Sequence, residues 1–167
     1  CRSRFGLQNK KILLSVANVW TEKKGFSDLL RLSGMLSGDY RILVVGLDEK
    51  QKKKLTPNMI GLSRTESIDE LAELYSAADF FVNPTKEEAF GMVNVEALAC
   101  GTPVITYASG GTPETVAPGC GRVVRRGDLN AMLEALNGEY SPEKCTTFAS
   151  FFQKERSVEK YIGLYQE

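Results

Sequence analysis

Residues 79–107 read DFFVNPTKEEAFGMVNVEALACGTPVITY. The stretch begins and ends with short apolar runs, DFFVNP and PVITY, which are typical of buried β-strands. Between them, residues 92–100 repeat apolar and small side chains at helical spacing, and Gly101 stands where a helix C-terminus is usually capped. A strand, a helix and a second strand in this order predict a crossover between parallel strands.

The same alternation continues on both sides of this stretch. Further strands are predicted at residues 11–17, 41–46, 58–62 and 121–124, with helices between them and one or two more helices from residue 141 onward. Ser67 and Glu70 have the spacing of a capping box. Thr112 is the predicted N-cap of a short helix, with Pro113 at its first position. We therefore expect a single α/β domain over residues 1–167, with a Rossmann-like parallel sheet covered by helices on both faces.

Charge and hydropathy exclude several classes of protein. The formal net charge is zero, so the basic excess of a nucleic-acid-binding protein is missing. A local basic run at residues 50–54 is interpreted as a solvated turn or helix end, with phosphate or an anionic membrane as the alternative partner. Every apolar run is shorter than the roughly 18 residues that span a bilayer.

Cysteine and histidine usage argues against a metal centre. The four cysteines, Cys1, Cys100, Cys120 and Cys145, form no CxxC motif, and the chain has no histidine. Free thiols are the expected state in a reducing cytoplasm. The chain also lacks the commonest general base in enzymes, which is histidine.

Residues at the carboxyl ends of parallel strands are the ones that meet ligands. Glu88 and Glu96 follow the strand at 79–84 and are eight positions apart, so both can face one pocket above the sheet. A carboxylate can accept hydrogen bonds from both hydroxyls of a cis-diol. The alternatives are a carboxylate that complements the helix dipole at Glu88 and a solvated helix face at Glu96.

The string EAFGMVNVEALACGTPVI, residues 88–105, closely resembles the signature of family 4 retaining glycosyltransferases. These are two-domain GT-B enzymes, and the signature lies in their C-terminal, donor-binding domain. The resemblance implies that Glu88 contacts hydroxyls of the donor sugar and that Glu96 holds the ribose hydroxyls of the nucleotide. Backbone amides near Gly91, Met92 and Val93 would face the donor sugar and its phosphates.

A second segment of the resemblance covers the loop after the first strand. The family has an arginine followed by Lys-Gly six and seven residues later, and both cations bind the diphosphate. Lys24 and Gly25 match the Lys-Gly pair, but Asn18 stands where the arginine would be. A neutral side chain there weakens the diphosphate contact unless Lys23 or Arg64 compensates.

Two further segments complete the predicted site. Gly110 and Gly111 follow a strand and could offer backbone N–H groups to a diphosphate, or simply form a tight turn. The family has a similar Gly-Gly turn near the donor sugar, which implies that these glycines line the pocket. Its nucleobase pocket corresponds to residues 61–64, where Arg64 is a candidate contact.

The resemblance implies a retaining, hexosyl-type transferase of polysaccharide or glycolipid synthesis. Its donor would be a UDP- or GDP-linked sugar. Lys24 and Glu88 would have catalytic roles, and no metal or other cofactor would be needed. We expect the acceptor, a sugar or a lipid-linked sugar, to bind an N-terminal domain that is absent from this chain, so that the chain alone is inactive. The expected location is the cytoplasm, with peripheral contact at the inner face of the membrane. The alternatives are a non-catalytic nucleotide-binding module and a GT-B nucleotide-sugar epimerase; GxGxxG and P-loop motifs are missing.

Overall fold

A computed structural model describes residues 2–153. Six parallel strands form one sheet in the order β3-β2-β1-β4-β5-β6. The strands are β1 (Lys11–Val16), β2 (Tyr40–Val45), β3 (Met59–Leu62), β4 (Phe80–Asn83), β5 (Val104–Tyr107) and β6 (Gly121–Val124). This order reverses between β1 and β4, which is the switch point where doubly wound sheets bind ligands.

Helices connect the strands and end the described part of the chain. The α-helices are α1 (Phe26–Met35), α2 (Glu49–Lys52), α3 (Ile68–Ala77), α4 (Met92–Ala99), α5 (Leu129–Ala135) and α6 (Pro142–Ala149). Short 3-10 helices cover Arg2–Phe5, Thr112–Thr115 and Ser150–Phe152. The helices predicted from residue 141 onward are thus present up to residue 152. The rest of that prediction, and Cys1, lie outside the described residues.

Two hydrophobic layers cover the two faces of the sheet. Alternate residues of a strand point to opposite faces, so Leu13 packs in the layer with α1 and α5, whereas Leu14 packs in the layer with α3, α4 and α6. Both leucines are fully buried. The predicted α/β class, a Rossmann-like parallel sheet with helices on both faces, is confirmed.

Ser67 caps α3 as predicted, but two details of the predicted helix caps differ from the structure. Ser67 accepts the N–H of Glu70 as a capping box requires, but the Glu70 carboxylate turns away to the N–H of Glu66 and to Arg4. The reciprocal half of that box is therefore missing because an arginine from the N-terminal segment competes for the carboxylate. A complete capping box forms instead at Asp48, before α2.

Thr112 was expected to cap the helix at 112–115, but the capping position is Gly111. The Thr112 hydroxyl accepts the N–H of Ser109 and donates to the carbonyl of Tyr107. The side chain therefore stabilises the turn after β5 and lies one position inside the helix.

The thiols of Cys100, Cys120 and Cys145 are free, as predicted. Burial raises the pKa of all three thiols. Within residues 2–153, no helix is long and apolar enough to cross a membrane.

Candidate functional site

A cavity of about 480 Å³ opens at the carboxyl ends of β1 and β4, at the switch point of the sheet. The loop after β1, the loop after β4, α3 and the start of α4 form its walls. It is lined by Val16, Ala17, Asn18, Val19, Trp20, Lys24, Leu71, Asn83, Glu88, Met92, Val93 and Glu96. The structure thus brings together residues from both segments that the sequence singled out.

Lys24 and Glu88 form an ion pair across this cavity. The Lys24 Nζ donates to Glu88 Oε2 at 2.7 Å, and both side chains are partly buried. Gly25 makes this approach sterically feasible, because its φ is 78° and a Cβ there would lie 2.1 Å from the carbonyl oxygen of Pro84. The two loops therefore meet through backbone that only glycine allows.

Further contacts tie the two loops together beside this ion pair. The N–H of Lys86 donates to the carbonyl of Lys23 at 2.7 Å, and the Lys23 ammonium pairs with Glu87 at the surface. Asp28, a buried carboxylate on α1, accepts from the Tyr107 hydroxyl at 3.1 Å and lies 3.4 Å from the Lys86 ammonium. The loop that carries Glu88 is therefore fixed to the start of α1.

Gly91 is the N-cap residue of α4 and has the left-handed conformation, with φ 94°. Met92 and Val93, the first two helical residues, line the cavity. N–H groups in the first turn of a helix have no intrahelical partner and favour an anion. The helix start is held from below by Asn94, which is fully buried and is hydrogen-bonded to Asn83 and to Thr115.

Glu96 lies in the second turn of α4 and faces the same cavity. The Tyr75 hydroxyl on α3 donates to Glu96 Oε2 at 3.0 Å. Burial, together with the negative charge of Glu96, raises the pKa of the Tyr75 phenol far above its usual range. The phenol is therefore a protonated donor throughout the pH range in which an ordinary tyrosine keeps its proton.

Asn18 lines this cavity and also a smaller one of about 80 Å³ beside it, which Arg64 lines as well. The second cavity lies between the ends of β1, β2 and β3, next to Gly46. Lys23 points elsewhere, because its ammonium is paired with Glu87 and it is not among the residues that line either cavity. Of the two cations expected to compensate for Asn18, Arg64 is the one placed near it.

Gly110 and Gly111 lie behind the loop that carries Glu88. A Cβ on Gly110 would lie 1.7 Å from the carbonyl oxygen of Glu88, and the N–H of Gly111 donates to the carbonyl of Ala89 at 3.0 Å. Neither glycine is among the residues that line the main cavity. Their close packing supports the Glu88 loop, and a direct ligand contact stays a prediction.

Sequence reasoning missed several residues of the site. Tyr75, Asn83, Asn94 and Asp28 support it, and Trp20 lines it while its Nε1 donates to the carbonyl of Val45. The position of Asn83 at the carboxyl end of a strand could have indicated it. A buried polar partner such as Tyr75 leaves no comparable signal in the sequence.

Within the part of the chain that the structure describes, no group of three or more Cys, Asp, Glu or His side chains could hold a metal ion. The absence of a metal requirement itself stays a prediction. The polar groups at the cavity include one ammonium, two carboxylates, two amide side chains and the N–H groups at a helix start. This set can bind a ligand that carries both an anionic group and several hydroxyls.

Comparison with curated proteins finds similar glycosyltransferases. The chain is 33% identical over 141 residues to the D-inositol 3-phosphate glycosyltransferase of Corynebacterium jeikeium, covering 73% of this chain and 33% of that protein. It is 31% identical over 151 residues to a GDP-mannose-dependent monoacylated alpha-(1-6)-phosphatidylinositol monomannoside mannosyltransferase of Corynebacterium glutamicum, covering 81% of this chain and 39% of that protein. The chain therefore spans little more than a third of the length of these relatives.

Solved structures share the fold. The lipopolysaccharide outer core galactosyltransferase WaaB superposes with a TM-score of 0.81 at 15% identity, over 92% of this chain and 48% of that chain. WaaG, a glycosyltransferase involved in lipopolysaccharide biosynthesis, gives 0.72 at 24% identity, over 96% of this chain and 48% of that chain. The predicted likeness to the GT-B fold is thus confirmed.

The sequence pattern of one protein family, described as "Glycosyl transferases group 1", matches residues 2–144. The match includes both loops of the cavity, α4 and the turn after β5. The chain belongs to the glycosyl transferases of group 1.

Proposed function

We propose that this chain binds the nucleoside-diphosphate sugar of a retaining, hexosyl-transferring glycosyltransferase. The observation that carries the proposal is the convergence of Lys24, Glu88, Glu96 and the start of α4 on one cavity at the switch point of the sheet. Each of these groups suits a different part of such a donor. A second domain would bind the acceptor and complete the active site.

Lys24 and the start of α4 suit the diphosphate. When the bond between the sugar and the diphosphate breaks, negative charge develops on the leaving diphosphate. Positioned cations or N–H groups stabilise this charge and so lower the barrier. The Lys24 ammonium has three donors, so it can bind a phosphate oxygen without leaving Glu88. The free N–H groups at Met92 and Val93 add a second anion-binding element that needs no metal.

Glu88 and Glu96 suit the hydroxyl groups on the two sides of the diphosphate, those of the sugar and those of the ribose. Glu88, next to Lys24, would accept from hydroxyls of the sugar, close to the bond that breaks. Glu96, which lies one helical turn beyond the start of α4, would accept hydrogen bonds from the ribose hydroxyls. The small cavity beside Asn18 and Arg64 is then the place for the base.

The names of the relatives support a lipid-linked or saccharide acceptor. One relative is a mannosyltransferase that acts on a phosphatidylinositol monomannoside and depends on GDP-mannose. We therefore propose a UDP- or GDP-linked donor, a role in glycolipid or polysaccharide synthesis, and work in the cytoplasm at the inner face of the membrane.

The proposal is tested by calorimetric titration of the chain with UDP, GDP, ADP and CMP. We expect selective binding of UDP or GDP. Glu96→Ala removes a charged acceptor, so it should weaken that binding roughly 10- to 100-fold.

Glu134→Ala is the matched control, because Glu134 is an exposed glutamate on α5, away from the cavity. It should leave the affinity unchanged. A folded wild-type chain that binds none of these nucleotides, or a Glu96→Ala chain that binds as well as wild type, would contradict the proposal.

A further inference from the structure

Glu96 is an exposed glutamate whose carboxylate is held in one direction. Glu96 is exposed on the cavity side of α4, where a glutamate side chain without a partner would sample several rotamers. The Tyr75 hydroxyl donates to its Oε2 at 3.0 Å. This bond joins α3 to α4, which are separate helices on the same face of the sheet.

Tyr75 is a rigid donor. Its residue is 2% exposed, and its ring packs against Phe81 of β4 with the centroids 5.4 Å apart. Its carbonyl accepts from the Thr102 hydroxyl at 2.6 Å, so the backbone is fixed from the turn before β5 as well. The phenol oxygen therefore occupies one place in the structure, whatever the exposed side chains around it do.

The hydrogen bond from Tyr75 makes the two carboxylate oxygens of Glu96 different from each other. Oε2 faces the Tyr75 hydroxyl, and a carboxylate oxygen has two acceptor sites, so Oε1 and the remaining site of Oε2 stay available to a ligand. A cis-diol needs two acceptor sites with a defined orientation. A carboxylate that is already oriented loses less conformational entropy when it binds.

We propose that Tyr75 is a positioning residue that orients Glu96 toward the ribose diol of the nucleotide. The inference rests on the proposed function. It means that a buried aromatic residue contributes to the affinity for the ribose. Tyr75 acts through Glu96 and does not line the cavity itself. Its effect should therefore depend on both the Glu96 carboxylate and the ribose hydroxyls.

The test uses Tyr75→Phe, which removes one oxygen atom and keeps the ring packing. The ligands are the nucleoside diphosphate that the wild-type chain binds best and its 2′,3′-dideoxy analogue. We expect Tyr75→Phe to weaken binding of the ribose ligand about three- to tenfold, the factor that corresponds to one hydrogen bond of ordinary strength. Binding of the dideoxy analogue should be unchanged.

A double-mutant cycle with Glu96→Ala separates positioning from a general structural effect. In the Glu96→Ala background, Tyr75→Phe should have no further effect on the affinity for the ribose ligand. Tyr140→Phe is the matched control, because its hydroxyl donates to the carbonyl of Ala135 and it lines a different cavity, at the amino ends of the strands. It should leave the affinity for both ligands unchanged.

The outcomes distinguish this inference from the proposed function. A wild-type chain without affinity for any nucleoside diphosphate would overturn both. If the wild type binds and Tyr75→Phe binds equally well, or weakens both ligands alike, or still weakens binding without Glu96, the positioning role is wrong and the donor site stands.

Discussion

Glu88 and Glu96 face the same cavity from two different kinds of backbone. Glu88 lies in the loop after β4, where Lys24, 64 positions away in the chain, pairs with it. Glu96 lies on α4, where the hydroxyl of Tyr75 from the neighbouring helix supports it. The comparison teaches that a loop residue takes its place from contacts across the sheet edge, whereas a helical residue needs only one partner to select its rotamer.

The two supports also differ in physical character. The Lys24–Glu88 pair is charged and partly exposed, so its contribution to folding stability is small and is reduced by salt. The close backbone contact between Gly25 and Pro84 contributes more than the ion pair to the position of that loop. The Tyr75–Glu96 bond comes from a buried neutral donor, and salt should affect it little.

Replacing Gly25 should have the largest effect on this comparison. In Gly25→Ala the new Cβ would overlap the Pro84 carbonyl at a left-handed φ, so we expect the protein to lose at least about 3 kcal/mol of unfolding free energy, together with donor binding. Chemical denaturation measures the loss.

Gly34→Ala is the control for that prediction. Gly34 lies in α1, and a Cβ there would meet no heavy atom within 4 Å. This variant should be more stable than wild type by about 0.5–1 kcal/mol, because alanine favours helix. Equal stability of the two variants would mean that the loop junction tolerates the Cβ.

Replacing Lys24 should come next in size. Lys24→Met should weaken binding of the nucleoside diphosphate roughly 10- to 100-fold, since it removes a charged donor to phosphate. Folding stability should change by less than about 1 kcal/mol, because the ion pair is partly exposed. Calorimetry and denaturation of the same sample measure both quantities.

Lys23→Met provides the matched comparison. Lys23 has an ion pair of the same length, 2.7 Å, but its side chain is 70% exposed and lies outside the cavity lining. The Lys23→Met variant should bind the nucleotide with an affinity within about twofold of the wild-type affinity. Equal losses in the two variants would show that the general charge of the loop, and no specific contact, binds the diphosphate.

The smallest effect concerns the pH dependence of the Tyr75 support. The pKa of Tyr75 is raised above its ordinary value of 10.0 by burial and by Glu96. Above pH 10 the unfolded phenol loses its proton while the folded one keeps it, so the unfolded state binds fewer protons and stability falls as pH rises. Below pH 10 the contribution is fully present.

Tyr75→Phe should therefore lose less stability than wild type as pH rises above about 10, by up to about 1.4 kcal/mol per pH unit. Denaturation at a series of alkaline pH values measures the two slopes. Parallel curves would contradict a buried, protonated phenol beside Glu96 and would weaken the distinction between the two supports.

Much of the site could be predicted because its residues follow strands. Lys24, Glu88 and Glu96 all lie in the segments that follow β1 and β4, and the carboxyl ends of parallel strands meet at one edge. Met92 and Val93 could be placed because a glycine marks the start of α4. The resemblance to a glycosyltransferase signature added roles to these positions, and the family match supports the resemblance.

Other features could not be predicted because they depend on competing partners. Glu70 fits a capping box by spacing, but Arg4 and the N–H of Glu66 take its carboxylate. Gly110 and Gly111 pack against the backbone of residues 88–90, and their residue type did not indicate this neighbour. Spacing alone does not show which of several reachable groups a side chain will contact.

The amino-acid sequence by itself determined the alternation of strands and helices, the buried faces and the glycines at tight junctions, because these depend on hydrophobic periodicity and backbone sterics over a few residues. Only the tertiary structure decided that β1 lies beside β4, and hence that Lys24 meets Glu88 and that Tyr75 supports Glu96. Such pairings join residues far apart in the chain, and they form only once the sheet has brought its strand ends together.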